Sequence, residues 1–293
     1  MTDGITDKVR EIVRGFHGVM GVAAIDLSTG RAPGAIVEIA VNADMRFPTA
    51  STIKTAVMVE AYHQAAEGKL PFDSPLTLRK ADKVGGSGVL RDLHDGLSLT
   101  VADAVQLMIS LSDNTATNLL IERLGTANVD AQLDAYGLRN TRLFRPTFRD
   151  GRPDVLPELE REFGLGMTTP REMAMLMARI ADGKAVSPTA SAAMLATLRR
   201  QQDRAMIPRL LPADDVEVGN KTGTDEEKQP GPTGVKGHVR ADAAIVTGPN
   251  GLRYAIAIYA RQIEDTRWTI ENDALTTGAR ISRMVYDEFT RPR

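Results

Sequence analysis

Strand-like segments crowd the two ends of this 293-residue chain, and helical periodicity fills its middle. Residues 19–27, VMGVAAIDL, form an apolar run that stops at Ser28-Thr29-Gly30, the pattern of a buried strand closed by a turn. Residues 35–44 alternate in part and are expected to pair with that run as a hairpin. Near the other end, residues 217–222, 243–247 and 252–260 read as three more strands. Between them lie helical patterns at 51–67, with Ile53, Val57, Met58 and Ala61 on one side and Gly68 as a stop, and at 99–124, broken around 112–114. Further helices are expected at 171–182, entered through Thr169-Pro170, and at 187–200. A polar helix opens the chain and another, at 276–290, closes it. Strands so far apart must come together from both termini if they are to make one sheet, which leaves the helices as an inserted layer. The expected fold class is therefore mixed α/β (α+β), with a sheet domain from 1–48 plus 213–293 and a helical domain from 49–212. Gly and Pro collect in two long loops, 149–166 and 225–237, and loops of that length often carry function.

Composition removes several function classes. Lys and Arg number 36 against 38 Asp and Glu, so no charge excess draws the chain to nucleic acid. There is no cysteine, which excludes disulfides and thiolate metal sites. The four histidines (His17, His63, His94 and His238) include no His-Glu-x-x-His pair, and neither a metal nor an organic cofactor is expected. His63 and His94 are expected to be structural. No run approaches the ~18 apolar residues of a membrane span, and the first residues lack a leader pattern. A soluble, cytoplasmic protein is the expectation, or a periplasmic or secreted one if a leader has been removed.

Three short motifs occur in order: Ser51-Thr-Ile-Lys54, Ser112-Asp-Asn114 and Lys221-Thr-Gly-Thr224. Random usage supplies about one Ser-x-x-Lys in a chain of this length, and each of the other two in only ~5% of such chains. Their joint order carries the signal. A serine hydroxyl is a poor nucleophile unless a neighbour takes its proton. Residues three apart share a helix face, so Lys54 is placed to serve Ser51. A lysine acts as a base only when partly neutral, a state that burial and the positive charge of Lys221 promote. The helix start also offers backbone N–H groups to a developing oxyanion. Ser112 is expected to deliver a proton to the leaving nitrogen, and Asn114 to bind the substrate side chain. Lys221-Thr222-Gly223-Thr224 is expected to close a strand, with Gly223 leaving room for substrate along the edge and Thr224 N–H completing an oxyanion hole with that of Ser51. Taken singly, Ser51 reads better as a helix cap with Lys54 on a solvated face. No Gly-x-Ser-x-Gly elbow is present, because Gly85-Gly-Ser87-Gly88 has the wrong spacing.

On these motifs the sequence resembles the class A β-lactamase and low-molecular-weight penicillin-binding protein superfamily. GVAAIDLSTGR is similar to that family's first strand, residues 86–125 to its central helices, and TTPREMAMLM to the helix after its omega loop. The resemblance implies an antiparallel sheet packed on a helical domain, with the site in the cleft between them. It makes Ser51 the nucleophile and Lys54, Ser112 and Lys221 its catalytic partners. Asn114, Thr222, Gly223 and Thr224 would hold substrate or oxyanion. Arg240, two residues before Asp242, falls where some members hold the substrate carboxylate; an exposed charge at a strand edge is the competing reading.

One departure stands out. The family's omega loop carries Arg-Leu-x-Arg-x-Glu, and here the stretch near 142–168 begins Arg142-Leu-Phe-Arg145-Pro-Thr147. The glutamate that activates the deacylating water is replaced by Thr147, which has no usable basicity near neutral pH. Glu158, Glu160 and Glu162 follow as substitute bases, with surface charge the competing expectation for each. The function expected is thus an active-site serine hydrolase that opens a β-lactam amide and deacylates slowly. Alternatives are a penicillin-binding D-Ala-D-Ala carboxypeptidase, a cytoplasmic serine esterase or peptidase, and a non-catalytic β-lactam-binding sensor. The partner would be a small molecule or short peptide, with no nucleic acid and no membrane segment, and a monomeric state is expected.

Overall fold

The computed structural model describes residues 3–28, 38–230, 234 and 236–291. Five strands make one antiparallel sheet: β1 (Val19–Asp26), β2 (Glu38–Val41), β3 (Glu217–Glu226), β4 (His238–Thr247) and β5 (Arg253–Ile263). Their order is β2-β1-β5-β4-β3, so both ends of the chain meet at the β1–β5 pairing. The central strands read as continuous apolar runs because both sheet faces are covered. Tyr254, Ile256, Ile258 and Ala260 of β5 belong to one buried cluster, and Ala255, Ala257 and Tyr259 to another.

Helices α1 (Asp3–Arg14) and, at the far end, Asp273–Phe289 cover the first face. Ile5, Val9 and Val13, four apart, bury one stripe of α1 there. The second face carries the helical layer: α2 (Lys54–Ala66), α3 (Val101–Ser110), α4 (Asn114–Leu124), α5 (Thr126–Ala135), α6 (Pro157–Phe163), α7 (Pro170–Ala181) and α8 (Pro188–Leu198), with Asp273–Phe289 becoming α9. The layers approach closely at Gly21, where a Cβ would lie 2.7 Å from the Phe47 ring and 2.8 Å from Pro170. Among the described residues no helix is long and apolar enough to cross a membrane.

Several boundaries differ from expectation for physical reasons. The helix expected from residue 51 opens as a 3-10 turn, Ala50–Ile53, and becomes α-helical only at Lys54. β3 runs on to Glu226, in register with β4 down to His238, so Lys221-Thr-Gly-Thr224 lies mid-strand and does not close it. β4 begins at His238, which brings Arg240 and Asp242 inside the sheet. α5 and α6 were not legible; α6 is a seven-residue helix inside the omega loop, opened by Pro157. The expected Thr29-Gly30 turn, the strand start at 35–37 and part of the 225–237 loop fall outside the described residues.

Candidate active site

The turn that carries Ser51 is built by its neighbours. Thr49 N–H donates to Gly166 O (2.9 Å), Thr52 Oγ1 to Thr49 O (2.7 Å), and Thr52 Oγ1 shares a 2.6 Å bond with Tyr259 Oη from β5. Ala50 adopts φ 42°, an unfavourable value for a side chain with a Cβ, and presents the next residue to the cleft. Gly223 completes the seat. A Cβ there would sit 2.8 Å from Thr49 O and 3.2 Å from Ala50, so this glycine lets β3 pack on the Ser51 turn; it does not clear the strand edge for substrate.

The second motif falls between α3 and α4 because Asp113 caps α4. Its carboxylate accepts from Ala116 N (2.9 Å), and from Val89 N (2.7 Å) and Leu90 N (2.9 Å) of the facing loop. Ser112 is thereby held at φ 56°. Lys54 Nζ donates to Ser112 O (2.7 Å), Ser112 Oγ (3.1 Å) and Asn114 Oδ1 (2.7 Å). Among the described residues none of these bonds reaches the Ser51 hydroxyl. Lys221 Nζ donates to the same Ser112 Oγ (3.0 Å) and to Thr222 O (2.8 Å).

Burial and the neighbouring Lys221 charge push the Lys54 amine well below the usual lysine range, against a weaker pull from Asp113. Burial also brings Lys221 down to about 8, opposed by Asp203 and Asp242. Asp242 lies beneath, fully buried, accepting from Asn220 Nδ2 (3.0 Å) and Ile207 N (3.0 Å); burial raises its carboxyl to about 7.

Ser51, Ser87, Asn114, Thr147 and Thr224 line one cleft of about 440 Å³. A smaller lobe of about 200 Å³ shares Ser51, Ser87 and Thr224 and reaches Ser112 and Thr222. The three motifs therefore converge on one place. Ser87, dismissed in the sequence for want of an elbow, lines both lobes. Phe148 and Trp268 also escaped notice: a loop aromatic and a lone tryptophan carry no motif.

Among the omega-loop expectations, the one for Glu160 needs correction. Thr147 does line the cleft, but its hydroxyl donates to Asn118 Oδ1 (2.9 Å), and its backbone exchanges bonds with the same amide. Glu160 is neither a base nor a surface charge: it is buried against Arg145 (2.8 Å) and accepts from Gly151 N. Glu162 lies at the surface, 3.3 Å from Arg261, and Glu158 is exposed; none of the three glutamates lines the cleft. For Arg240 the competing expectation, an exposed charge at a strand edge, is overturned. β4 is interior to the sheet, so no strand edge exists there, and the residue is only 3% exposed. Its guanidinium donates to Val239 O and Arg267 O, and the Trp268 ring covers it at 4.7 Å.

An antiparallel sheet backed by a helical layer, with Ser51 lining a cleft beside a Ser112 hydroxyl held by two buried lysines, is the arrangement of the active-site-serine class. The chain belongs to the β-lactamase enzyme family, whose model matches residues 4–289. It is 31% identical over 149 residues to β-lactamase CARB-3 of Pseudomonas aeruginosa, an alignment covering 50% of this chain and 49% of that relative. The chain thus spans about half the length of the first curated relatives it matches. Among solved structures it is similar to a β-lactamase from Sphaerobacter thermophilus, with a TM-score of 0.80, 31% identity, and coverage of 99% of this chain and 98% of that one. It is also similar to PBP-A, with a TM-score of 0.79, 28% identity, and coverage of 98% and 96%.

Proposed function

We propose that the protein is a serine hydrolase that opens a β-lactam amide through an acyl-enzyme at Ser51 and releases the acyl group slowly. The observation that carries this reading is Ser112 Oγ, held between the amines of Lys54 and Lys221 in the cleft that Ser51 lines. Ser51 Oγ attacks the amide carbonyl, and its proton passes to the neutral Lys54 amine. The N–H groups of Ser51 and Thr224 take the oxyanion. As the C–N bond breaks, the Ser112 hydroxyl gives its proton to the leaving nitrogen and is reprotonated from Lys54. Lys221, Thr222 and Asn114 hold the substrate.

Water must then attack the ester, and its activation is the weak step. Thr147 is committed to Asn118 and carries no base. That same position favours a second reading, a penicillin-binding D-Ala-D-Ala carboxypeptidase that β-lactams acylate and do not leave. Time-resolved mass spectrometry with benzylpenicillin separates the two. An adduct on Ser51 that disappears within the assay supports the hydrolase, one that persists while D-Ala-D-Ala peptides turn over supports the carboxypeptidase, and no adduct defeats both.

A further inference from the structure

We infer that the groove where the C-terminal ends of α2 and α4 meet α5 is a second binding site, one that takes a primary alkylammonium group. It shares no lining residue with the Ser51 cleft and stands apart from the serine-hydrolase reading. The groove holds about 370 Å³, and Glu60 and Gln64 are buried members of its lining. Glu60 is only 4% exposed, yet among the described residues no basic side chain pairs with it. Lys69 is bound to Glu67 (2.8 Å), and His63 lies 3.8 Å from that same carboxylate. Arg123, also in the lining, is exposed and pairs with no carboxylate among the described residues. A carboxylate so buried ordinarily has a cationic partner.

The hydrogen bonds define what is left over. Gln64 Nε2 donates both its protons to the protein, to Glu60 Oε1 (2.6 Å) and to Leu124 O (3.0 Å). Asn128 Nδ2 donates to the same Leu124 O (2.7 Å). Three side-chain acceptors are thereby without a protein donor among the described residues: Glu60 Oε2, Gln64 Oε1 and Asn128 Oδ1. They are neighbours. Both amide nitrogens lie within 3.0 Å of one carbonyl oxygen, so they are at most about 6 Å apart, and the Glu60 carboxylate touches the first. Neither Glu60 Oε2 nor Gln64 Oε1 is sealed from solvent, and the groove is the opening that their residues line.

A primary ammonium carries three donors and no acceptor, which matches this set where an anion would not. Both helices end here, α2 at Ala66 and α4 at Leu124, and their C-terminal dipole ends favour a cation. Burial raises the Glu60 carboxyl above the usual carboxylate range, against the pull of the Gln64 bond and of His63 and Lys69; a bound cation offsets that cost. Among the described residues no set of three His, Asp or Glu side chains is placed to ligate a metal ion, which favours an organic cation. Ala131 and Ala135 of α5 line the same groove and suit a short aliphatic stem.

The probes are butylamine, butanol and tetramethylammonium, each titrated into the full chain and followed by backbone amide NMR shifts. Butylamine, an ammonium at neutral pH, should give saturable shifts centred on Glu60, Gln64 and Asn128. Butanol has the stem without the charge, and tetramethylammonium the charge without N–H donors. Both should bind at least about tenfold more weakly, the scale of one hydrogen bond to a charged group. Glu60→Gln keeps the shape and removes the charge, and should weaken butylamine to the same extent. Ala131→Leu should do so with Glu60 in place, so the result does not hang on how the first variant folds. Nα-acetyl-lysine N-methylamide carries the same head: tighter binding than butylamine assigns the site to a lysine side chain, weaker binding to a free alkylamine. Equal shifts from tetramethylammonium, shifts that survive Glu60→Gln, or no shifts at all would overturn the inference. Penicillin adducts on Ser51, outside this groove, test the hydrolase reading separately.

Discussion

Lys54 and Lys221 come from a helix and a strand far apart in the chain, and their amines converge on one oxygen, Ser112 Oγ, at 3.1 Å and 3.0 Å. Two ammonium groups so close in a buried site oppose each other's charge, and desolvation adds to the cost. The arrangement therefore favours one of the two amines being neutral. Lys54, the more strongly lowered, is the one that can accept the Ser51 proton.

Acylation should depend on pH in a way that follows from this coupling. Below about 8 Lys221 is charged; raising the pH through that value removes the positive charge the site offers the substrate, while burial, the larger cause, still holds the Lys54 amine well below the usual lysine range. The acylation rate should consequently fall on an alkaline limb near pH 8. The Asp242 carboxylate supports the Lys221 charge, so Asp242→Asn should move that limb to lower pH. Stability runs the other way. Between about 8 and the ordinary lysine value of 10.5 the unfolded chain binds more protons at residue 221, so this group's contribution to stability rises with pH. Stopped-flow acylation across that range checks the limb, and a flat profile in both proteins would refute the coupling.

Thr147→Glu should shorten the lifetime of a penicillin adduct by roughly 10²-fold, the usual scale for a positioned general base. The position already lines the cleft, so the new carboxylate needs no loop movement to reach it. Loss of the Asn118 bond should cost about 1 kcal/mol of stability. Adduct decay followed by mass spectrometry decides it: an unchanged lifetime in a folded variant would show that deacylation is limited by something other than the missing base.

Glu160→Gln should lower stability by about 3 kcal/mol, because it leaves the buried Arg145 guanidinium with the exposed Asp150 as its remaining carboxylate partner. Adduct lifetime should not change, since Glu160 lies outside the cleft. Denaturant titration beside the adduct assay tests both halves. A lengthened lifetime without loss of stability would restore Glu160 as a base.

Gly223→Ala should cost about 1–3 kcal/mol and slow acylation, because the new methyl strikes the Thr49 carbonyl and displaces the Ser51 turn. If the glycine served only to clear space for substrate, stability would be unaffected and KM alone would rise. Thermal melts and acylation kinetics on the same variant distinguish the two.

Much of the molecule could be read from the chain because its signals are local. Apolar runs at both ends and periodic helices between them foretold the sheet and its helical layer. Helix entry at Pro170 and the break at 112–114 were legible from capping chemistry, as Asp113 shows. The order of Ser51, Lys54, Ser112, Asn114 and Lys221 was visible as motif spacing. What the sequence determined by itself was which residues gather at the candidate site. Tertiary structure decided what each one touches. It turned Lys54 toward Ser112, seated Gly223 against Thr49, sealed Glu160 against Arg145 and laid Trp268 over Arg240. Those outcomes depend on burial and on partners distant in the chain, and neither is encoded in spacing along it.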